Sequence, residues 1–264
     1  MLEIKNITKI FNGGTVNEKV ALDNVSLTLN DGDFVTVIGG NGAGKSTLLN
    51  SVAGTYPVDE GNILIDGTDI TKLPEYKRAQ FIGRVFQDPM VGTAADMWIE
   101  ENMALALLRG KKRGLKWSIT NKDRELFKTM LEKLDLGLEN RLSTKVGLLS
   151  GGQRQAITLL MASMNNPKLL LLDEHTAALD PKTAAKVLSI TDEIVNREKL
   201  TTLMITHNMK DAITYGNRLI MMNNGKILID ISGEEKKKLT VENLLQLFSK
   251  ASGDEFTSDK ALLS

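Results

Sequence analysis

The sequence has no cysteine, only two histidines, and equal numbers of acidic and basic side chains. Without cysteine, the chain cannot form a disulfide framework, a thiol nucleophile, an iron–sulfur cluster or a cysteine zinc site. Two histidines do not by themselves supply a three-histidine metal site. Because Lys plus Arg and Asp plus Glu both number 33, the composition also argues against a dedicated nucleic-acid-binding protein, which usually has a basic excess.

Long apolar runs are missing as well. Nowhere do about 18 apolar residues follow one another, so the sequence predicts no transmembrane helix. Charged residues interrupt the apolar positions of residues 1–10, so no signal-peptide core is predicted there. If the protein works at a membrane, we expect a partner to hold it there. The 264 residues, 42% of them hydrophobic, are enough for a full α/β core.

Strand and helix patterns divide the chain into parts. In the N-terminal part, strands are predicted at 2–7, 25–29, 34–38, 62–66 and 84–86, with a helix over 45–53. The middle part has only helical patterns, at 99–108, 123–134 and 152–165. The C-terminal part predicts strands at 168–172 and 200–206, helices at 181–196 and 240–250, and a hairpin whose turn is Asn223-Asn224-Gly225.

These patterns predict an α/β core with an inserted helical subdomain. We predict that residues 1–87 and 166–250 form the core, that residues 88–165 form the helical subdomain, and that residues 251–264 are a C-terminal tail.

A glycine-rich stretch follows the strand predicted at 34–38. It fits the pattern Gly-x4-Gly-Lys-Ser/Thr and opens a predicted helix, which is the context of a phosphate-binding loop. Glycines let backbone amides approach a phosphate chain, Lys45 supplies positive charge to its β- and γ-phosphates, and the Ser46 hydroxyl is placed to bind Mg²⁺. The sequence therefore predicts a nucleotide site formed by Gly39, Gly40, Asn41, Gly42, Ala43, Gly44, Lys45, Ser46 and Thr47.

The apolar run 169–172 ends in two carboxylates, Asp173 and Glu174. We predict that Asp173 helps to hold Mg²⁺ at the phosphates and that Glu174 polarises the water that attacks the γ-phosphorus. Strand ends often carry carboxylates without such a role, so this interpretation depends on the phosphate-binding loop being present as well.

A further motif opens the helix predicted at 152–165. Leu149-Ser150-Gly151-Gly152-Gln153 resembles the signature of the ATP-binding-cassette (ABC) ATPases. Other positions match further motifs of that family in the expected order: the Q-loop glutamine at Gln87, the D-loop aspartate at Asp180, the switch histidine at His207 and the adenine-stacking aromatic at Phe11. The resemblance covers about residues 2–235.

The resemblance implies a P-loop NTPase core with an N-terminal antiparallel β subdomain and an inserted α-helical subdomain. It implies a catalytic set of Glu174, His207 and Gln87, and Mg²⁺ ligands Ser46, Gln87 and Asp173. In the family, two copies form a head-to-tail dimer, and each signature covers the ATP held by the partner's phosphate-binding loop. Ser150, Gly151, Gly152 and Gln153 are then expected to bind ATP across the dimer.

The chain departs from the family at His175, where proline usually follows the Asp-Glu pair. One interpretation is a metal or pH sensor, in which protonation of His175 slows turnover. The other is a tolerated variant whose ring donates to a nearby carbonyl or carboxylate.

The resemblance also implies partners. A free-standing cassette with no fused membrane helices is similar to the ATPase subunits of bacterial importers. It would bind separate permease subunits at the cytoplasmic face of the cell membrane, and an extracytoplasmic solute-binding protein is a further candidate partner. The residues from His175 to Ala184 resemble subunits of amino-acid importers, including aromatic ones. The alternative is a soluble ABC-type ATPase of a cytosolic assembly complex; no nucleic-acid partner is expected.

The segment after Gln87 is the candidate permease dock. Methionine-rich apolar surfaces adapt to inserted helices, and this segment contains Met90, Met97, Trp98, Ile99 and Met103. The alternative is that these side chains pack the core of the helical subdomain. The basic run 109–113 is interpreted as a solvated loop, with nucleic acid or anionic lipid as alternatives.

Overall fold

The computed structural model describes residues 1–111 and 119–252, without the side chains of residues 251 and 252. The chain divides into two compact units, one formed by Met1–Arg78 with Lys199–Ser264 and the other by Ala79–Glu198. This division does not test the predicted subdomain bounds, which stay a prediction. Residues 112 and 113 of the basic run lie outside the described residues, as does nearly all of the predicted tail.

The first unit begins with strands and short helices. Its N-terminal part contains β1 (Leu2–Phe11), β2 (Lys19–Leu29), β3 (Phe34–Ile38), α1 (Lys45–Ala53), β4 (Glu60–Ile65), β5 (Thr68–Asp69) and α2 (Glu75–Arg78). The period-two pattern predicts residues 2–7 of β1 and 25–29 of β2, where Leu2, Ile4, Val25, Leu27 and Leu29 are buried; both strands extend beyond the predicted bounds. Helix α1 starts and stops as predicted, since Gly44 before it and Gly54 after it both adopt left-handed backbone angles.

The second unit is mainly helical. It contains β6 (Ile82–Val85), α3 (Ile99–Leu107), α4 (Asn121–Glu132), a 3₁₀ turn (Val146–Leu148), α5 (Gly151–Ser163), β7 (Leu169–Asp173) and α6 (Pro181–Glu198). All of the long helices predicted for residues 88–165 are present, with ends that differ by one or two residues.

The C-terminal part of the first unit returns to alternating strands and helices. It contains β8 (Thr202–Ile205), α7 (Met209–Thr214), β9 (Arg218–Asn223), β10 (Lys226–Ser232), α8 (Gly233–Lys237) and α9 (Val241–Ser252). The sequence patterns did not predict α2, α7, α8 or the two-residue strand β5. Among the described residues, none of the helices is both long and apolar enough to cross a membrane.

Two sheets form the first unit. One is antiparallel, with the order β2-β1-β4-β5. In the other, β3 lies between β8 and β9 and is parallel to both, and β10 pairs antiparallel with β9. Helices α7 and α9 cover this second sheet, and Met209, Leu244 and Phe248 pack there against Ile38 and Met221. The register pairs Val37 with Ile205, so the segments after β3 and β8 leave from the same edge.

In the second unit, β6 and β7 are parallel, with Val85 opposite Leu172. Gly83 of β6 lies close to α5, because a Cβ atom there would be 2.2 Å from the carbonyl oxygen of Ala162. The end of α5 is held by Arg109, whose Nη2 donates to the carbonyls of Ala162 at 2.8 Å and Met164 at 2.9 Å. Arg109 therefore has a structural role, which the interpretation of the basic run as a solvated loop did not include.

Candidate functional site

The phosphate-binding loop connects β3 to α1 in the first unit. Two of its glycines are required by close backbone contacts. A Cβ atom on Gly39 would lie 2.2 Å from the Met222 carbonyl oxygen, and one on Gly44 would lie 2.6 Å from that of Ala21. Gly44 also has a φ of +101°, in the left-handed region that favours glycine. The loop is thus wedged between other strands of the unit, which fixes where its amides point.

The Lys45 side chain lies against the backbone of this loop. Its ammonium donates to the carbonyls of Gly39 at 2.8 Å and Gly40 at 3.1 Å, and the residue is 7% exposed. Helix α1 has no side-chain cap and no acidic residue in its first turn, so nothing of that kind competes with an anion at its positive end. The arrangement fits a phosphate group held by backbone amides and Lys45.

A second ammonium, which the sequence patterns did not reveal, lies beside the loop. The Lys19 Nζ atom is 3.4 Å from the position that a Cβ atom would take on Gly42. Lys19 pairs with Phe11 across β1 and β2, so Phe11 lies at the strand end nearest this part of the loop. The Phe11 ring is half-buried and meets the exposed Tyr56 ring edge-on at 5.3 Å. The predicted stacking of Phe11 on adenine stays a prediction, and Tyr56 is a second aromatic beside it.

His207 lies just beyond β8, at the sheet edge where the phosphate-binding loop begins. The Thr206 amide donates to the Val37 carbonyl at 3.1 Å, which joins the two segments. His207 itself is exposed, and Asn208 caps helix α7 by accepting from the amides of Lys210 and Asp211. The structure therefore brings His207 and the phosphate-binding loop to one edge of the first unit, as the prediction requires. Burial raises the pKa of the Asp211 carboxyl.

The second unit carries two of the three predicted Mg²⁺ ligands, Gln87 and Asp173, together with the predicted water-polarising residue Glu174. Asp173 is the last residue of β7 and Gln87 follows the end of β6, and because these strands are parallel and in register, both residues lie at the same edge. The Asp173 side chain is 16% exposed, and its Oδ2 lies 3.8 Å from Nη2 of Arg84, a residue that the sequence analysis did not single out. The side chain of Arg84 also lies over the Phe86 ring, 4.4 Å from its centroid.

Glu174 has a φ of +42°, an unusual backbone conformation for a residue other than glycine. Such a conformation costs on the order of 1–3 kcal/mol and persists where neighbouring structure imposes it. The next residue is anchored in the interior, since His175 is 2% exposed and its Nε2 lies 3.0 Å from the Thr191 hydroxyl of α6. The Thr191 hydroxyl donates its own hydrogen to the Val187 carbonyl at 2.8 Å, so it accepts a hydrogen bond from Nε2 of His175.

His175 is thus a buried anchor, in line with the second interpretation of this position, but its partner is a hydroxyl rather than a carbonyl or carboxylate. Burial lowers the pKa of His175 from 6.5 to about 4, because the interior disfavours the charged ring. The described residues contain no cluster of three or more His, Cys, Asp or Glu side chains placed to bind a metal.

The signature forms the N-terminus of α5. The Ser150 hydroxyl accepts from the Gln153 amide, and the Gln153 side chain accepts from the Ser150 amide, both at 3.3 Å. This capping box explains why the helix begins at Gly151. Gly152 is required by packing, because a Cβ atom there would lie 2.1 Å from Cγ2 of Thr183 in α6. Ser150 and Gly151 are exposed.

The D-loop lies against the signature within the second unit. A Cβ atom on Gly151 would be 3.2 Å from Cδ2 of Leu179. Asp180 begins α6, where its side chain accepts from the Thr183 amide at 3.1 Å. Hydrogen bonds from Thr183 hold the pKa of the Asp180 carboxyl below its usual range.

The predicted site residues therefore fall into two groups. The first unit carries the phosphate-binding loop, Phe11 and His207; the second carries Gln87, Asp173, Glu174, the signature and Asp180. The donors predicted for Mg²⁺ are a hydroxyl, a carboxylate and an amide oxygen. These hard oxygen ligands fit an ion that keeps phosphates and water in its remaining positions.

Comparison with known proteins places this chain. A family model described as "ABC transporter" matches residues 22–177. A tyrosine transport ATP-binding protein of Clostridioides difficile (strain R20291) is 48% identical over 251 residues, which cover 95% of this chain and all of the relative. The spermidine/putrescine import ATP-binding protein PotA of Haemophilus ducreyi is 33% identical over 250 residues; the match covers 93% of this chain and 62% of the relative.

A solved structure agrees with these relatives. The dimeric post-hydrolysis state of the ATP-binding cassette MJ0796, bound to ADP and phosphate, is 30% identical and superimposes with a TM-score of 0.75, covering 88% of this chain and 98% of that one. The predicted ABC ATPase fold is thereby confirmed. The chain belongs to the ABC transporter family, in which it is an ATP-binding and ATP-hydrolysing subunit.

Proposed function

We propose that two copies of the chain enclose two MgATP in a head-to-tail dimer and drive permease subunits that import an amino acid, with tyrosine or another aromatic amino acid as the first candidate. The observation that supports this most is the 48% identity, over nearly the whole of both chains, with a tyrosine transport ATP-binding protein. The protein would lie at the cytoplasmic face of the cell membrane, held by its permease and served by an extracytoplasmic solute-binding protein.

The dimer is supported by the exposed signature. Ser150 and Gly151 are exposed at a helix N-terminus, which favours negative charge. In a two-fold symmetric dimer, each such terminus would meet the γ-phosphate held by the partner's Lys45. The residues Ser46, Asp173 and Gln87 would hold Mg²⁺, which supplies charge stabilisation at the phosphates. Glu174 would polarise the attacking water, and His207 would hydrogen-bond the γ-phosphate.

The permease dock needs a correction to the set of side chains expected there. Met103 and Ile99 of α3 are fully buried and pack the core of their unit, so they cannot line a docking surface. The exposed apolar side chains nearby are Met90, Val91, Trp98 and Leu105. A test by Met103→Asp would therefore measure folding rather than docking.

A groove of about 320 Å³ lies beside this surface in the second unit. We propose it as the dock for a short helix of a permease subunit. Its lining comes from β6, from the segment after Gln87, from α3 and the turn that follows it, and from α5, and it includes Gly92, Ala94, Leu105, Ala106 and Met161. Small residues on both sides let a helix approach closely, and Leu105 and Met161 offer apolar contact.

A matched pair of substitutions tests the dock. Leu105 and Leu126 are both leucines on helices of the second unit and both are 43% exposed, but only Leu105 lines the groove. Leu105→Glu is expected to abolish co-purification with the permease while leaving the ATPase activity of the isolated chain within about twofold. Leu126→Glu is expected to retain the permease. Equal retention by both variants would place the dock elsewhere.

Uptake measurements test the substrate. Cells that lack this gene are expected to lose energised uptake of labelled tyrosine, and the parent gene, but not the Glu174→Gln variant, should restore it. Labelled spermidine is the comparison, because some relatives are polyamine importers. Loss of spermidine uptake with tyrosine uptake intact would overturn the amino-acid assignment and leave the ATPase assignment standing.

A further inference from the structure

Arg84 connects two parts of the second unit that have separate roles in the proposed function. It lies on β6, opposite Leu171 of β7, and its side chain is 13% exposed. Side chains two residues apart on a strand share one face, so Asp173 lies on the same face as Leu171 and next to Arg84. The Nη2 atom of Arg84 and the Oδ2 atom of Asp173 are 3.8 Å apart, a distance at which the opposite charges attract.

The guanidinium is also held by the segment that leads to Gln87. It lies 4.4 Å from the centroid of the Phe86 ring, within the range of a cation–π interaction. The Phe86 carbonyl accepts from Nε2 of Gln155 at 3.1 Å, and Gln155 is fully buried on the signature helix. A chain of contacts therefore runs from Asp173 through Arg84 and Phe86 to α5.

The same arginine lines the groove proposed as the permease dock. Leu105 and Ala106 of α3 line the groove as well. An apolar helix entering a groove of this size would contact Arg84, because that residue is part of the lining. It would then compete with the position in which the guanidinium faces Asp173.

We propose that Arg84 is a positioning residue that transmits occupancy of the groove to Asp173, the carboxylate expected to hold Mg²⁺; the inference rests on the proposed function. With the groove open, the guanidinium partly neutralises Asp173 and weakens the pull of that carboxylate on a cation. When an occupant displaces the guanidinium, Asp173 regains its full charge and the cassette binds Mg²⁺ with nucleotide more tightly. Permease contact would thus prepare the metal site.

The test measures nucleotide binding instead of turnover. Displacement of a fluorescent ATP analogue from the purified chain, followed over a range of Mg²⁺ concentrations, gives the Mg²⁺ concentration at half-maximal binding. Arg84→Met keeps the length and apolar stem but removes the charge, and it is expected to lower that concentration about tenfold. Arg84→Lys keeps the charge at the end of a flexible stem and is expected to stay within about threefold of the parent.

The lack of cysteine lets the groove be filled chemically at one position. Ala106→Cys lines the groove, and modification with a bulky aryl maleimide would mimic an occupant. Labelling is expected to lower the half-maximal Mg²⁺ concentration in the parent background and to have no further effect together with Arg84→Met. Asn140→Cys, an exposed position outside the groove, is the labelled control and is expected to give no shift.

The outcomes separate the inference from the function on which it rests. If the parent binds nucleotide without any dependence on Mg²⁺, the proposed use of the metal fails, and this inference fails with it. If the parent shows the dependence but Arg84→Met leaves it unchanged, the proposed function stands and Arg84 has no positioning role. An equal labelling shift in both backgrounds would show that the groove acts on the site by another route, which also overturns the inference.

Discussion

The buried His175 makes the stability of the protein depend on pH in a way that one substitution removes. Its ring is 2% exposed and donates to the Thr191 hydroxyl, whose own proton is committed to the Val187 carbonyl. The folded protein therefore keeps His175 neutral, with a pKa of about 4. In the unfolded chain the same ring is in water and has its ordinary pKa of 6.5.

The direction in which pH changes the stability follows from these two pKa values of His175. Between pH 6.5 and pH 4 the unfolded state binds a proton that the folded state rejects, so stability falls as the pH falls through this window. At pH 7.5 the two states bind almost no proton at His175. At pH 5 the difference in proton binding reduces the free energy of unfolding by about 2 kcal/mol. For a chain of this size that corresponds to a fall of about 4–8 °C in Tm.

Thermal unfolding of the parent and of His175→Asn at pH 7.5 and pH 5 measures how much stability is lost at low pH because of His175. The variant is expected to be less stable than the parent at pH 7.5, because it loses packing, but to lose about 2 kcal/mol less on going to pH 5. His207→Asn, which leaves the buried ring in place, is the control and should lose as much as the parent. Equal losses for the parent and His175→Asn would refute the neutral buried histidine.

Because His175 stays neutral well above pH 5, the ATPase pH profiles of the parent and His175→Asn should have the same shape between about pH 6 and 8, contrary to the sensor interpretation.

Two further predictions concern the packing of the signature and the electrostatics of the phosphate-binding loop. Gly152→Ala is expected to destabilise the protein by about 1–3 kcal/mol in chemical denaturation, because the added methyl group would overlap Cγ2 of Thr183. Adding Thr183→Ser, which removes Cγ2, should recover most of the lost stability. Failure of this rescue would show that the overlap is not the cause. Lys19→Ala is expected to raise the KM for ATP about two- to fivefold with little change in kcat, because it removes an ammonium beside Gly42. The increase in KM should become smaller as salt is added. An increase that does not depend on salt would argue against a charge interaction.

The sequence patterns predicted most of the fold because the elements that build it have strong local signals. Helix α1 lies between Gly44 and Gly54, whose left-handed backbone angles favour glycine. The run 169–172 is fully buried, as its continuous apolar character predicts. Three short helices were missed. Helix α7 had a readable signal, since Asn208 caps it and Asp211 follows three residues later. Helices α2 and α8 are only four and five residues long, and α8 has no hydrogen bond from a side-chain N-cap.

Some residues of the candidate site could be identified from sequence motifs, and others could not. Motif spacing identified the glycine loop and the signature, because their chemistry needs particular residues at fixed separations. It did not identify Lys19 or Arg84, whose roles depend on where a long side chain ends rather than on neighbours in sequence. The methionine-rich composition of the segment after Gln87 left Met103 either on a docking surface or in the core, and the structure buries it fully in the core.

The central claim is that Glu174 polarises the water that attacks the γ-phosphate of ATP held by the phosphate-binding loop. The most direct measurement is steady-state ATP hydrolysis by the purified parent and by Glu174→Gln, with MgATP binding and dimer formation followed by size-exclusion chromatography. We expect Glu174→Gln to bind MgATP and to accumulate as a dimer, with turnover reduced at least about a hundredfold. Lys45→Ala, which removes the phosphate-binding ammonium, should instead lose nucleotide binding. A Glu174→Gln variant that hydrolyses ATP as fast as the parent would contradict the claim.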